Sequence, residues 1–216
     1  MRSYGQYCAL AKALDVVGDR WILLIIRELL IRGRCRYVDL LNGLPGIATN
    51  LLAGRLKELE AAGVVRREAA TAPVATPLYE LTDRGRSLEP AIRAFAQWGG
   101  QLLGAWNGDE AFCNHWLAMP ARLHLSDTAP DERPVTLEVR AGAEPLSIEA
   151  TGGTVQVRPG PAKAPDAVLS GPPHILAALL VGRLALAKAV AGGATYTGDP
   201  AVLRRLQPEA VPAAAA

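Results

Sequence analysis

The apolar residues change period near residue 105, and a chain whose halves repeat differently does not fold as one uniform layer. Before that point they recur at helical spacing, as in Leu10, Ala13, Leu14 and Val17. After it they alternate, with Val135, Leu137 and Val139 on one side and Thr136, Glu138 and Arg140 on the other. Gly104, Asn107 and Gly108 mark a boundary at Gly104–Asp109. The 216 residues fit one large or two small domains at about 100–200 residues each. The expected architecture is therefore α+β, with domains at 1–104 and 109–207 and a frayed, low-complexity tail at 208–216.

The first half reads as an ordered series. Cys8–Val17 is a helix ended by Gly18, and Asp19 is placed to cap the next, Trp21–Leu30, which Gly33 stops. A short helix, Tyr37–Leu41, precedes the turn Asn42-Gly43-Leu44-Pro45-Gly46. Thr49 or Asn50 caps a helix running to Ala61. Two strand-like stretches, Val64–Glu68 and Leu78–Leu81, flank the loop Ala69–Pro77, and a long helix opens at Thr82-Asp83 and runs toward Gly99 or beyond. Helices followed by a hairpin and a helix make a winged helix-turn-helix. In the helix ending at Ala61, Leu52, Leu56 and Leu59 share a face opposite Asn50, Gly54 and Lys57, with Ala53 at the edge and Arg55 on the other flank. Gly54 costs about 1 kcal/mol against Ala in a helix interior. It is either kept for close approach to DNA or tolerated as a surface residue.

Composition narrows the classes. Half the residues are apolar and 20% charged, so a core is expected and wholesale disorder is not. No apolar run nears the roughly 18–20 residues of a membrane span, and the first residues lack a signal-peptide core. Three separated cysteines, without a CxxC pair, suit a reducing cytoplasm rather than a disulfide scaffold or a zinc site. Residues 1–104 carry +4 and residues 105–216 carry −2, while Arg20–Arg67 holds nine basic residues against four acidic. Such a local excess is either a face for a polyanion or an ordinary solvated surface. No metal-ligand spacing, nucleophile elbow or phosphate loop appears, so no cofactor, metal or catalytic residue is expected.

The residues of the first half resemble HxlR-type, MarR-like winged-helix transcriptional regulators. The resemblance rests on Cys8–Asp15 followed by Val16-Val-Gly-Asp-Arg-Trp21, on Ile22–Leu30, and on Leu44-Pro45-Gly46-Ile47. It continues through Leu52-x-x-Arg55-Leu56-x-x-Leu59-Glu60-x-x-Gly63-Val64-Val65 to Tyr79-x-Leu81-Thr82-x-x-Gly85-x-Ser87-Leu88. It implies a homodimer that places a recognition helix in the major groove of double-stranded DNA and wings over the flanking backbone. Carried over, Thr49 and Asn50 begin the recognition helix, Arg55 matches its arginine, and Lys57 points outward. Arg66 and Arg67 lie on the first wing strand, and Arg34 and Arg36 precede the short helix. Each cation is either a DNA contact or a solvated or internally paired side chain. The wing tip, Thr71–Pro77, carries no Lys or Arg, so the resemblance gives no minor-groove arginine there. Cys8 stands where some members carry a redox-sensing thiol, with Lys12 one turn on; the alternative is a small buried apolar residue. A seam of Leu88, Ile92, Phe95 and Leu102 is the expected dimer contact.

In the second half, residues 109–119 are expected to be helical, Leu146, Ile148 and Ala150 to repeat the alternation, and Gly152-Gly153 to turn a hairpin into a strand with Val155 and Val157. Val168 is expected in a fourth strand, and Pro172–Val181 and Leu184–Val190 are expected to be apolar helices. Asp166–Pro172, the helix ending at Gly182 and the Tyr196-Thr-Gly-Asp199 run resemble the C-terminal part of sterol-carrier-like domains. That likeness implies a small hydrophobic ligand in an apolar tunnel; a solid core that braces the dimer is the alternative. The sequence thus points to a cytoplasmic, dimeric, DNA-binding regulator, with repression the default for a steric binder. A lipid or small-molecule carrier using the winged helix only for protein contacts is the alternative.

Overall fold

The computed structural model describes residues 3–68, 76–103, 108–142 and 144–208. Most of the loop Ala69–Pro77, the boundary residues 104–107 and the tail from 209 lie outside them. The chain divides into two units, Met1–Gly100 and Gln101–Ala216.

In the first unit α1 (Ala9–Val17) ends at Gly18, and α2 (Ile22–Arg32) ends at Gly33 with φ +75°. Asp19 does not cap α2 with its side chain. Its carbonyl accepts from Ile22 N, and Trp21, at φ +82°, is the helix N-cap. Among the described residues Trp21 is the one non-glycine with positive φ, a conformation that costs about 1–3 kcal/mol. A strand absent from the sequence reading, β1 (Cys35–Arg36), precedes α3 (Tyr37–Asn42). Then come α4 (Thr49–Ala61), β2 (Val65–Glu68) and β3 (Leu78–Leu81). The N-cap of α4 is Ala48, so neither Thr49 nor Asn50 caps it. The sheet order is β1-β3-β2, antiparallel throughout, with Cys35 opposite Tyr79 and Val65 opposite Leu81.

The long last helix is two: α5 (Asp83–Arg86) and α6 (Glu89–Gly99). Pro90 has no N–H to donate to Arg86, four residues back, so the helix breaks there. Thr82 caps α5 by accepting from Gly85 N and donates to Gly63 O at 2.7 Å. Gly85 sits so close to the Val64 carbonyl that no side chain fits. The core is built from Ile22, Ile25, Ile26 and Leu29 of α2, Leu52, Leu56 and Leu59 of α4, and Val65, Leu81 and Ile92.

In the second unit the expected helix at 109–119 is displaced. A single 3-10 turn, Asn114–Leu117, leads into α7 (Ala118–His124). It is followed by β4 (Leu125–Asp127), β5 (Val135–Arg140), β6 (Leu146–Thr151), β7 (Thr154–Pro159) and β8 (Ala167–Ser170). Next are α8 (Pro173–Leu180), α9 (Leu186–Ala191), β9 (Thr195–Gly198), α10 (Pro200–Arg205) and β10 (Leu206–Pro208). Leu184, expected in α9, lies before it. Pro208, expected in the tail, pairs with Leu125. Five strands run in the order β7-β6-β5-β8-β9, parallel only between β5 and β8. Gly152 and Gly153, at φ +56° and +78°, make the tight β6–β7 turn. The alternation is borne out: Val135, Leu137, Val139, Leu146, Ile148 and Ala150 are buried, as are Leu176, Leu179 and Leu180 of α8.

A buried ion pair ties this unit's ends together. Arg205 Nε donates to Asp127 Oδ1 at 2.7 Å and Nη2 to Oδ2 at 3.1 Å, and Nη1 reaches Arg133 O at 2.5 Å. Asp127 also accepts from Ala129 N and Gly153 N. The Arg205 hydrogen bonds, aided by those amides, hold the Asp127 carboxyl down at about 2. Because the folded value lies below the ordinary one, this stabilisation is present above about pH 4 and fades toward pH 2. Arg205→Met leaves an uncompensated buried carboxylate. In urea unfolding at pH 7 it should cost about 3–5 kcal/mol, and the variant should lose the native chain's drop in stability between about pH 4 and 2.

Candidate nucleic-acid interface

The position of α4 follows from its leucines. With Leu52, Leu56 and Leu59 at 2% exposure or less, helical geometry turns Asn50, Ala53, Gly54 and Lys57 outward, and all four are exposed. Thr49 is exposed at the helix start, and its carbonyl accepts from the Tyr37 hydroxyl at 2.5 Å, joining α3 to α4. Asn50 Oδ1 accepts from Leu51 N. A Cβ built on Gly54 meets no atom within 4 Å, so the chain's own packing does not demand glycine there.

The predicted cations separate into two groups. Arg55 lies on the flank with its side chain 20% exposed, and Nη1 stands 2.7 Å from Asp19 Oδ2 and 2.6 Å from Glu58 Oε2. The Glu58 hydrogen bond and both carboxylates raise its pKa further. Arg66 pairs with Glu80 at 2.7 Å and Glu68 at 3.4 Å, while Arg34 pairs with Glu68 and, at 3.6 Å, with Glu80. Arg34 and the wing-strand Arg66, both still exposed, thus share a network of two guanidiniums and two carboxylates. Arg36, Lys57 and Arg67 are exposed and form no ion pair among the described residues. The backbone N–H of Arg36 donates to Asp39 Oδ2, which starts α3.

The wing network was not foreseen because it depends on register. Arg66 faces Glu80 directly across β2 and β3, a pairing visible only once the hairpin is aligned. Buried Glu28 was also missed. It accepts from Arg27 at 2.8 Å and lies 3.6 Å from Arg32, and its one signal was an acid inside the apolar run of α2. Cys8 is exposed, not buried, at the N-cap of α1, and Lys12 pairs with Asp15 at 3.8 Å. Burial pushes the Cys35 thiol up to about 12, which keeps it protonated. The wing-tip residues 71–75 lie outside the described residues. Among the described residues no group of three or more His, Cys, Asp or Glu is placed to hold a metal ion, and no helix is long and apolar enough to cross a membrane.

Residues 16–106 match the family described as HxlR-like helix-turn-helix. The helix-turn-helix-type transcriptional regulator YvaP of Bacillus subtilis is 37% identical over 92 residues, 43% of this chain and 84% of YvaP. The regulator sll1512 of Synechocystis is 33% identical over 99 residues, 46% of this chain and 73% of sll1512. The reduced form of the B. subtilis transcriptional regulator YodB is similar at 29% identity with a TM-score of 0.41, over 47% of this chain and all of that one. The match over residues 16–106 and the identity to YvaP and sll1512 over most of their lengths show the family, in keeping with the apolar α4 stripe and the three-stranded wing sheet: the chain belongs to the HxlR-like helix-turn-helix family.

Proposed function

We propose that the protein is a transcriptional regulator that binds double-stranded DNA as a cytoplasmic homodimer and represses by occupying its site. The exposed side of α4 carries this reading. Asn50, Ala53, Gly54 and Lys57 form a narrow polar strip, unused by the fold, on a helix whose other side is fully buried. Thr49 and Asn50 meet the groove first, and the cations free for phosphate are Arg36, Lys57 and Arg67. Arg34 and Arg66 reach phosphate only by exchanging Glu68 and Glu80 for it. Cys8, exposed, is the candidate redox-sensing thiol.

Each neutralised phosphate contributes about −0.9 to the slope of log affinity against log salt on duplex DNA. Lys57→Ala and Arg67→Ala should each flatten that slope by about one unit in fluorescence anisotropy with a labelled duplex. Unchanged slopes in both remove the two residues from the interface.

Dimerisation is supported by apolar side chains left exposed in the first unit. Phe95 and Trp98 of α6 are 60% and 66% exposed, and Tyr7, before α1, and Leu10, in its first turn, are more so. The expected seam is corrected: Ile92 is 6% exposed and packs inward, where α6 meets α2, while Leu88 lies before α6 and Leu102 past its end, so the four do not share one helix. Phe95→Asp with Trp98→Asp, and not Ile92→Asp, is therefore the substitution that should yield monomers in sedimentation while leaving the helical circular dichroism intact.

For the second unit we propose control by a small hydrophobic ligand of the sterol-carrier kind, held between the sheet and its apolar helices. The mixed five-stranded sheet, with α7 against β7 and the apolar α8 against α7, is the layered arrangement that supports this reading. Titration of a fluorescent fatty acid should saturate, and bound ligand should shift DNA affinity by about 5–150-fold. Unsaturable uptake makes the unit a brace.

A further inference from the structure

Resting on the DNA-binding reading, we propose that Arg55 is a positioning residue, latched to Asp19, and that it sets the stance of the recognition helix α4 without touching DNA. Arg55 lies roughly 140° around the helix from Asn50, beside the leucine stripe rather than on the exposed strip. Its Nη1 is shared by two carboxylates, Asp19 from the turn between α1 and α2 and Glu58 one turn along α4. Its Nε is buried without a hydrogen-bond partner, so the guanidinium is aimed by that carboxylate pair. A phosphate could engage Nη1 only by displacing one of these carboxylates.

The other end of the latch is the turn between α1 and α2, held by contacts of its own. The Asp19 carbonyl accepts from Ile22 N to begin α2, and its carboxylate holds Arg55. Between them Arg20 lies 6.0 Å over the Trp21 ring, and Trp21 keeps its left-handed backbone. One residue therefore fixes α4 to a turn whose conformation is already over-determined. Removing Arg55 leaves Asp19 and Glu58 as neighbouring like charges, which drives the turn and helix apart.

The sign of the Asp19 effect separates positioning from contact. If Arg55 binds phosphate, Asp19→Asn frees it and removes a negative charge, so affinity rises. If Arg55 positions α4, Asp19→Asn weakens binding. The test uses the full chain, a duplex that the native chain selects from a random-sequence pool, and poly(dI-dC) as non-specific DNA. Asp19→Asn and Arg55→Ala should each lower affinity for the selected duplex about 5–10-fold, with the double variant no more than about twofold worse than Arg55→Ala. Affinity for poly(dI-dC) and the salt slope should stay at native values, which a merely destabilised protein below its melting temperature would not combine with lost discrimination. Tighter or unchanged binding by Asp19→Asn, or a slope flattened by about one in Arg55→Ala, overturns the proposal. Should Arg55→Ala fail to fold by circular dichroism, the near-isosteric Asp19→Asn decides by sign alone. A native chain that selects no duplex overturns the DNA-binding reading itself, and this role with it.

Discussion

The burial of three leucines on α4 is the constraint on which the interface depends. A rotation of the helix by one residue, about 100°, would lift a leucine into water and press Lys57 toward the core. Each leucine contributes about 1.5–3 kcal/mol by its burial, so the rotational phase is held firmly. The exposed strip is thus a by-product of packing, and its residues are released from any structural duty. That is why Gly54, which helix propensity disfavours and packing does not require, can persist there.

Around that helix, charge is used to fix angles more than to advertise a basic surface. Asp19 and Glu58 engage Arg55, Glu68 and Glu80 pair with Arg34 and Arg66, and Glu28 sits with Arg27 and Arg32 beneath the helix surface. In the second unit Arg205 and Asp127 do the same between α10 and β4, with the backbone of the β6–β7 turn drawn in through Gly153. Such pairs lose their value when one partner is removed, because the survivor remains half-desolvated.

The elements of the first unit were legible from period and punctuation. Glycines at 18 and 33 ended the helices, and the leucine spacing predicted the buried side of α4. What failed were features set by neighbours distant in sequence. Thr49 was read as a cap because Thr often is one, but Ala48 takes the N-cap position. The two-residue β1 exists only through pairing with β3, and two residues carry no alternation. Ile92 was placed in an outward seam by spacing alone, and spacing does not say whether the covering helix belongs to the same chain. In the second unit alternation and the Gly-Gly turn predicted the β5–β6–β7 meander. The strand at Val168 was expected, but its parallel place beside β5 and the small β4–β10 pair were invisible, because both rest on long-range pairing. For the interface, sequence supplied the list of cations but not their occupancy.

The pairing changes what the basic stretch means for a search along DNA. Of the nine cations from Arg20 to Arg67, Arg34, Arg55 and Arg66 are answered by carboxylates at positions 19, 58, 68 and 80, and three of these four lie outside the stretch whose charge was counted. On the proposed DNA-binding reading, a surface so balanced would hold random duplex loosely, since attraction without sequence information scales with unanswered positive charge. Loose holding shortens each unproductive encounter on the chromosome. Discrimination is then left to the shape of the strip and the angle at which it is offered, and a small population of molecules can survey many sites without being trapped on the wrong ones.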